Sequence, residues 1–216
     1  MRQASPWKLV LWPAVVTLAV TVLRLTGELL NWTPALFNRS VGGGGAVVGI
    51  IWLIPVFGAY FGYRLASQAQ APETLGRALG WDLAALAVLA SFLALGFSRS
   101  TASASQFLAI GVGSWAAIAV AWRGWPALVT TLLRYGFLAR LPVAIVILLG
   151  VLGDWKTHYD TPPPGLPEMG AVARWIAIGV VPQFTLWMAV TVVLGLLIAV
   201  AVAALARAAG PQPARA

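Results

Sequence analysis

Residues 175–206 read WIAIGVVPQFTLWMAVTVVLGLLIAVAVAALA and contain no Asp, Glu, Lys or Arg. An apolar helix of about 20 residues is enough to cross a bilayer. This stretch is therefore long enough for a complete crossing even though a proline interrupts it. Residues 45–63 and 100–122 are free of charged side chains in the same way. These runs predict an all-α membrane protein and exclude an ordinary soluble domain.

Six transmembrane helices are predicted from the apolar runs and the turn residues between them. Only 9% of the 216 residues are charged, and 60% are hydrophobic, so little sequence remains for any domain outside a membrane. We expect one helical bundle over 1–208 and a loose tail at 209–216. The predicted helices are 9–30, 45–63, 80–97, 105–122, 132–152 and 176–206.

The distribution of Lys and Arg predicts the orientation of the bundle. With the N-terminus inside, nine of these residues fall on the inner side and five on the outer side, which favours cytoplasmic termini. The chain shows no secretory or organelle signal beyond its helices, so we expect a cell membrane, specifically a bacterial inner membrane. Its basic residues are scattered, which argues against nucleic acid as a partner.

Polar residues in the first predicted helix form the first candidate site. Arg24, Glu28 and Asn31 are spaced so that all three lie on one side of a helix. Charged side chains inside a membrane are costly and often functional. We expect an Arg24–Glu28 ion pair facing protein, and favour a role in helix packing over a substrate or ion site.

Arg140 and Gln183 complete the candidate intramembrane polar site. Arg140 is predicted inside the inner leaflet beside Pro142, and its simplest explanation is that the side chain extends to the cytoplasmic headgroups. Gln183 follows Pro182 and could satisfy a carbonyl that the proline leaves unpaired. For both residues a ligand role is the alternative.

The predicted outer loop at 154–168 holds the only histidine of the chain and four of its prolines. Asp154, His158 and Asp160 form the candidate outer-loop site, since imidazole and carboxylate can bind a metal or act as a base. One histidine is weak support for either role. We therefore predict no metal or other cofactor and interpret the loop as a stiff docking surface or lid.

Three glycine pairs predict close helix packing. The four-residue spacing that lets helix backbones approach closely occurs at Gly45 and Gly49, Gly58 and Gly62, and Gly76 and Gly80. We expect them to pack inside the bundle, with contact to another subunit as the alternative.

A possible internal repeat bears on function. The motif WPAVVT at 12–17 resembles WPALVT at 125–130, and each is followed by a Pro-x-Phe motif, at 55–57 and 182–184. Internal symmetry and interrupted helices are common in transporters. Six residues of membrane sequence can also match by chance.

Three functions remain open. The favoured one is a non-catalytic membrane subunit or interaction protein, whose partners are the lipid bilayer and another protein or a second copy of the chain. The second is a transporter or channel for a small or lipophilic solute, which a cavity reaching the middle of the membrane would support. The third is a membrane-embedded enzyme, which a pocket joining Glu28 to His158 would support; no identifiable nucleophile favours it.

Overall fold

The computed structural model describes residues 6–44, 46–97 and 103–209, and this part of the chain contains helices and no strands. The helices are α1 (Pro6–Leu29), α2 (Leu53–Ser67), α3 (Leu75–Phe97), α4 (Ala104–Trp122), α5 (Pro126–Gly153), α6 (Ala171–Trp175), α7 (Val181–Phe184) and α8 (Leu186–Ala209). Short 3-10 turns lie at Val41–Gly43 and Ile50–Trp52, and a π-helical turn, Ile176–Val180, joins α6 to α7.

The described residues form six segments that are long and apolar enough to cross a membrane, as the apolar runs predicted. The last of them combines α6, the π-helical turn, α7 and α8 into one interrupted span over Ala171–Ala208. Many large apolar side chains on these segments are exposed, which is the arrangement expected of helices surrounded by lipid. The predicted tail lies outside the described residues, except Ala209, which ends α8.

The bundle has two distinct ends. The segments at 30–52 and 154–170 lie together at one end, which we call the loop end, because Arg24 and Glu28 near the end of α1 contact both of them. The opposite end carries the α2–α3 and α4–α5 connections, where the indole of Trp125 donates to the carbonyl of Gln70 over 2.7 Å. Alternating helices therefore place the starts of α2 and of the last span at the loop end.

Small residues allow α2 to pack closely on α8. A Cβ atom added to Gly58 would lie 2.8 Å from the carbonyl oxygen of Gly195. One added to Gly62 would lie 2.6 Å from the Cα of Ala199. Neither position has room for a larger side chain, so this glycine pair packs inside the bundle.

The second helix begins later than predicted. Of the residues predicted as helix, 46–49 form a loop and Ile50–Trp52 a 3-10 turn, and α2 starts at Leu53. Gly49 has extended backbone and precedes that turn, so its predicted role in helix packing is wrong; Gly45 lies outside the described residues. The glycine-rich stretch has a high entropic cost in a helix, and the carbonyl of Val48 accepts a hydrogen bond from Arg24 instead.

Proline interrupts the last span, as predicted. Pro182 lies in the first turn of α7, and the helix breaks at Thr185, whose φ and ψ are −120° and −84°. The indole of Trp175, the last residue of α6, donates to the carbonyl of Ala144 at 2.8 Å. This bond connects α6 to α5. This irregular segment forms one wall of the site described below.

The two Trp-Pro motifs do not occupy equivalent positions. Trp12 lies inside α1 and is 68% exposed, whereas Trp125 precedes α5 and is 1% exposed. The side chain of Thr17 is buried and contacts Tyr135, while Thr130 is half-buried and its hydroxyl donates to the carbonyl of Pro126. The similar motifs at 12–17 and 125–130 therefore do not make equivalent contacts.

Candidate functional site

A cavity of about 740 Å³ extends from the loop end into the bundle. Its walls come from α1, α5, the interrupted last span and the two loops of that end, with Phe107 from α4. Gly43 and His158 line it near the loop end, and Arg140 and Gln183 line it deeper in the bundle. A volume of this size is typical of a site for a small organic ligand.

Arg24, Glu28 and His158 form a buried cluster at the loop end. The Glu28 side chain is fully buried and accepts from Arg24 Nε at 2.9 Å. It also accepts from the backbone N–H of His158 at 2.9 Å and contacts the imidazole Nδ1 of the same residue. One carboxylate therefore joins α1 to a loop that lies 130 residues further along the chain.

The guanidinium of Arg24 binds the first loop of the loop end, residues 30–52. Nη1 donates to the carbonyl of Val48 at 2.9 Å, and Nη2 donates to those of Asn38 and Gly43 at 3.2 and 3.0 Å. Because Nε donates to Glu28, all three nitrogens of the Arg24 guanidinium have acceptors. This matches the geometric preference of guanidinium for several acceptors at once. Arg24 thus fixes the segment before α2 against α1.

The backbone of Gly43 packs directly against this cluster. Its φ of 66° favours glycine, and a Cβ atom there would lie 2.5 Å from Arg24 Nη2 and 2.8 Å from His158 Cδ2. Gly42 has a similar φ of 68°, but a Cβ atom there would meet nothing within 4 Å. The glycine at position 43 is therefore needed both for its conformation and for its lack of a side chain.

Asp160 organises the second loop, residues 154–170, through hydrogen bonds to its backbone. The two carboxylate oxygens of Asp160 accept from the backbone N–H groups of Lys156 and Thr157 at 2.8 and 2.7 Å, and the Thr157 hydroxyl adds a third bond. Asp154 pairs with Lys156 at 3.2 Å in an exposed position. Among the described residues, no three His, Asp or Glu side chains form a group that could hold a metal.

The environment of His158 favours the neutral imidazole. Burial lowers the pKa of His158, the nearby guanidinium of Arg24 adds to this, and the Glu28 carboxylate opposes it. Because a carboxylate can only accept, the proton of the neutral ring lies on Nδ1, which leaves Nε2 as an acceptor. The ring of Tyr159 lies 3.8 Å from that of His158, and burial raises the pKa of the Tyr159 phenol.

Arg140 forms a second polar cluster deeper in the cavity. Its side chain is 4% exposed, with Nη2 donating to the Thr191 hydroxyl at 3.2 Å and Nη1 to Gln183 Oε1 at 3.5 Å. The guanidinium also lies 5.3 Å from the centroid of the Trp187 ring, a distance at which cation–π attraction operates. All three neighbours belong to the interrupted last span.

The predicted extension of Arg140 to the headgroups is wrong. Arg140 lies 14 residues after Pro126, so about 20 Å of helix separates it from either end of α5. Its guanidinium turns into the bundle, where hydroxyl and amide acceptors are available. Gln183 likewise contacts this guanidinium.

The structure joins some predicted site residues and separates others. Arg24, Glu28 and His158 meet at the loop end, and Arg140 meets Gln183 further inside. Asn31 does not belong to the cluster, because α1 ends at Leu29 and Asn31 turns into an exposed left-handed conformation. Its predicted place on the helix face is therefore wrong.

Four further residues of the site were not singled out from the sequence. Gly43 stands in a run of four glycines, a composition that indicates only a turn, and Tyr159 is adjacent to the predicted loop site. Thr191 and Trp187 resemble many other residues of apolar helices. Only the fold shows that these two face Arg140.

Comparison with known proteins adds no assignment. The chain matches no protein-family model, no curated protein and no solved structure. Any function must therefore be argued from the cavity and its two polar clusters.

Proposed function

We propose that this protein is a multi-pass membrane protein that binds a lipophilic or amphiphilic solute in the cavity between its helices and transports it. The observation that carries the proposal is the extent of the cavity, from Gly43 and His158 at the loop end to Arg140 at the middle of α5. Such a depth corresponds to about 20 Å along the helix. Interrupted helices at a central site are a feature of many transporters.

The lining of the cavity supports an apolar solute. Most of its wall is aliphatic or aromatic, with contributions from Ile51, Trp52, Phe107, Val143, Ile147, Ile178 and Trp187. A route for a hydrated ion would need polar groups along its whole length, whereas these walls offer few. An apolar or amphiphilic molecule would replace lipid or water at such surfaces favourably.

Access from the bilayer is also supported. Ile51 and Trp52 line the cavity at the loop end. Ile51 and Trp52 are also 44% and 63% exposed, as expected near an opening to lipid.

The favoured sequence-based alternative, a subunit of a larger complex, receives less support. Gly58 and Gly62 pack against α8, so they are not available to a partner, whereas Gly76 and Gly80 on α3 have nothing within 4 Å of an added Cβ atom and stay open to one. A partner at the second loop remains a prediction that co-purification would test.

The experiment is to purify the protein from its membrane in a neutral detergent and to identify bound molecules by native mass spectrometry. Ile147 lines the cavity and is 4% exposed, whereas Ile145 on the same helix is 48% exposed. Ile147→Trp should reduce the bound amphiphile at least tenfold, and Ile145→Trp should leave it unchanged. Both variants must keep the wild-type helix content.

Two results would contradict the transport proposal. One is a wild-type protein that carries no lipophilic molecule after mild extraction. The other is full occupancy of the Ile147→Trp variant. Movement across the bilayer then needs its own assay, in which proteoliposomes are loaded with the identified molecule and its exit is measured for wild type and Ile147→Trp.

A second candidate function is favoured by the Glu28–His158 contact. A carboxylate that holds Nδ1–H of an imidazole leaves Nε2 able to accept a proton, and His158 lies in the cavity wall. This arrangement would serve an enzyme that removes a proton from a bound molecule. Incubating the purified protein with the identified ligand and comparing its mass spectrum for wild type and His158→Gln tests this function, since binding alone changes no covalent bond.

A further inference from the structure

Arg140 is a charged side chain whose surroundings supply no opposite charge. It is 4% exposed, and its four neighbours that contact it or act on its charge, Thr191, Gln183, Trp187 and Tyr135, carry no opposite charge as neutral side chains. Buried arginines are normally paired with a carboxylate, because an isolated charge is costly away from water. Within the described residues the acids in ion pairs are Glu28 and Asp154, and neither pairs with Arg140.

The guanidinium also has unused hydrogen-bonding capacity. Arginine carries five N–H donors, and the described contacts of Arg140 use two of them. Its Nε is buried and has no hydrogen-bond partner. An unsatisfied donor in a buried position is unfavourable, but Nε is itself enclosed. The donors that remain for an acceptor in the cavity are the second N–H groups of Nη1 and Nη2, for which the described residues provide no partner.

A ligand bound in the cavity would supply the missing acceptor. Arg140 lines the cavity together with apolar side chains such as Val143, Ile147 and Ile178. The other guanidinium of the wall, Arg24, is already neutralised by Glu28. An anion at Arg140 would therefore be attached to an apolar body that fills the rest of the space.

We propose that Arg140 binds the anionic head of an amphiphile, a carboxylate or a phosphate ester, whose apolar part occupies the cavity. This inference deepens the proposed function and depends on it. Guanidinium binds both heads through paired N–H donors, and Thr191 and Gln183 hold it in position for that contact. Trp187 covers its face and offers an apolar surface to the chain that follows the head.

The test uses probes that share one alkyl chain and differ only in their heads. Dodecanoate, dodecyl phosphate and dodecanol are titrated into delipidated wild-type protein in a neutral sterol-based detergent, and binding is counted by native mass spectrometry. For at least one of the two anions, the dissociation constant should be at least tenfold lower than that of dodecanol. The tighter of the two anions identifies the head, and inorganic phosphate should not compete.

Variants on the same helix assign the preference to Arg140. Arg140→Met should lose the preference for anions while it keeps its affinity for dodecanol. Arg134→Met is the matched control, because Arg134 lies over the Trp7 ring at 5.6 Å and not in the cavity wall. Its preference should equal that of wild type. Arg140→Lys keeps the charge without the paired donors and should retain a weakened preference.

The outcomes separate this inference from the proposed function. Equal binding of dodecanol and both anions by wild type would overturn the anionic head and leave solute binding intact. Failure of every alkyl probe to bind would overturn both. Competition by inorganic phosphate as strong as that by dodecyl phosphate would overturn the amphiphile. The comparison of heads on wild type decides the matter even where Arg140→Met does not fold.

Discussion

Replacing Glu28 by glutamine should release both loops of the loop end. The side chain is fully buried and accepts from Arg24 Nε and from two nitrogens of His158. Glutamine has nearly the same volume, so the change leaves no void; it removes the negative charge and one acceptor. Breaking a buried ion pair from one side costs about 3–5 kcal/mol, because Arg24 stays buried without its partner. We expect a loss of that size in the free energy of unfolding.

The loss is measured by unfolding the protein from mixed micelles with sodium dodecyl sulfate and following tryptophan fluorescence. Trypsin gives a local readout, since Lys156 lies in the loop that Glu28 holds and its side chain is 75% exposed. Cleavage after Lys156 should accelerate in Glu28→Gln. Asp154→Asn is the matched control: it removes an exposed ion pair of the same loop, and such pairs contribute little.

A double-mutant cycle with Arg24 tests the pairing itself. Arg24→Leu alone leaves the Glu28 charge with only the nitrogens of His158. In Arg24→Leu combined with Glu28→Gln, neither charge remains buried. The double variant should therefore lose less free energy of unfolding than the two single variants lose together, by about 0.5–3 kcal/mol. Additive losses, or a Glu28→Gln variant that unfolds like wild type, would refute the structural reasoning.

Three further predictions concern single positions. Gly43→Ala should lower the free energy of unfolding by more than Gly42→Ala in the same detergent assay, because only the alanine at 43 would contact Arg24 and His158; equal losses would contradict this. Asp82 is 1% exposed and its Oδ1 lacks a hydrogen bond, so Asp82→Leu, which replaces the buried carboxylate by an apolar group of similar shape, should raise the free energy of unfolding by about 1–3 kcal/mol; a loss of stability would show that the charge has a favourable partner. Burial lowers the pKa of His158 in the folded state, so the folded protein binds this proton more weakly than the unfolded one, and stability should fall as the pH is lowered through about 6.5. Unfolding at several pH values checks this, with a shallower dependence expected in His158→Gln and an unchanged one arguing against the assignment.

The Arg24–Glu28 pair could be predicted because it is local. Two residues four apart on one helix lie on the same face whatever surrounds that helix. The third member, His158, lies 130 residues from Glu28, and its loop carries no periodic signal that would direct it to α1. Sequence reasoning could therefore name His158 and Glu28 separately and offer their contact only as one alternative.

Helix boundaries were predictable where the sequence changes sharply and less so elsewhere. The last span was predicted with its interruption because proline cannot continue the backbone hydrogen bonds of a helix. The start of α2 was placed too early because residues 45–52 are apolar enough for a membrane helix. Their glycines and the contact between Arg24 and Val48 favour a loop instead.

By itself the sequence determined the class of the protein, an all-helical chain with six segments able to cross a membrane, because the length of an apolar run is a local property. It also determined the ion pair within α1 and the interruption of the last span, whose break lies at Thr185, three residues after Pro182. Only the tertiary structure decided that Arg140 turns into the bundle towards Thr191 and Gln183. The packing of α5 against the last span likewise decided that this buried charge borders a cavity, since a side chain's neighbours depend on which helices meet and not on its own segment.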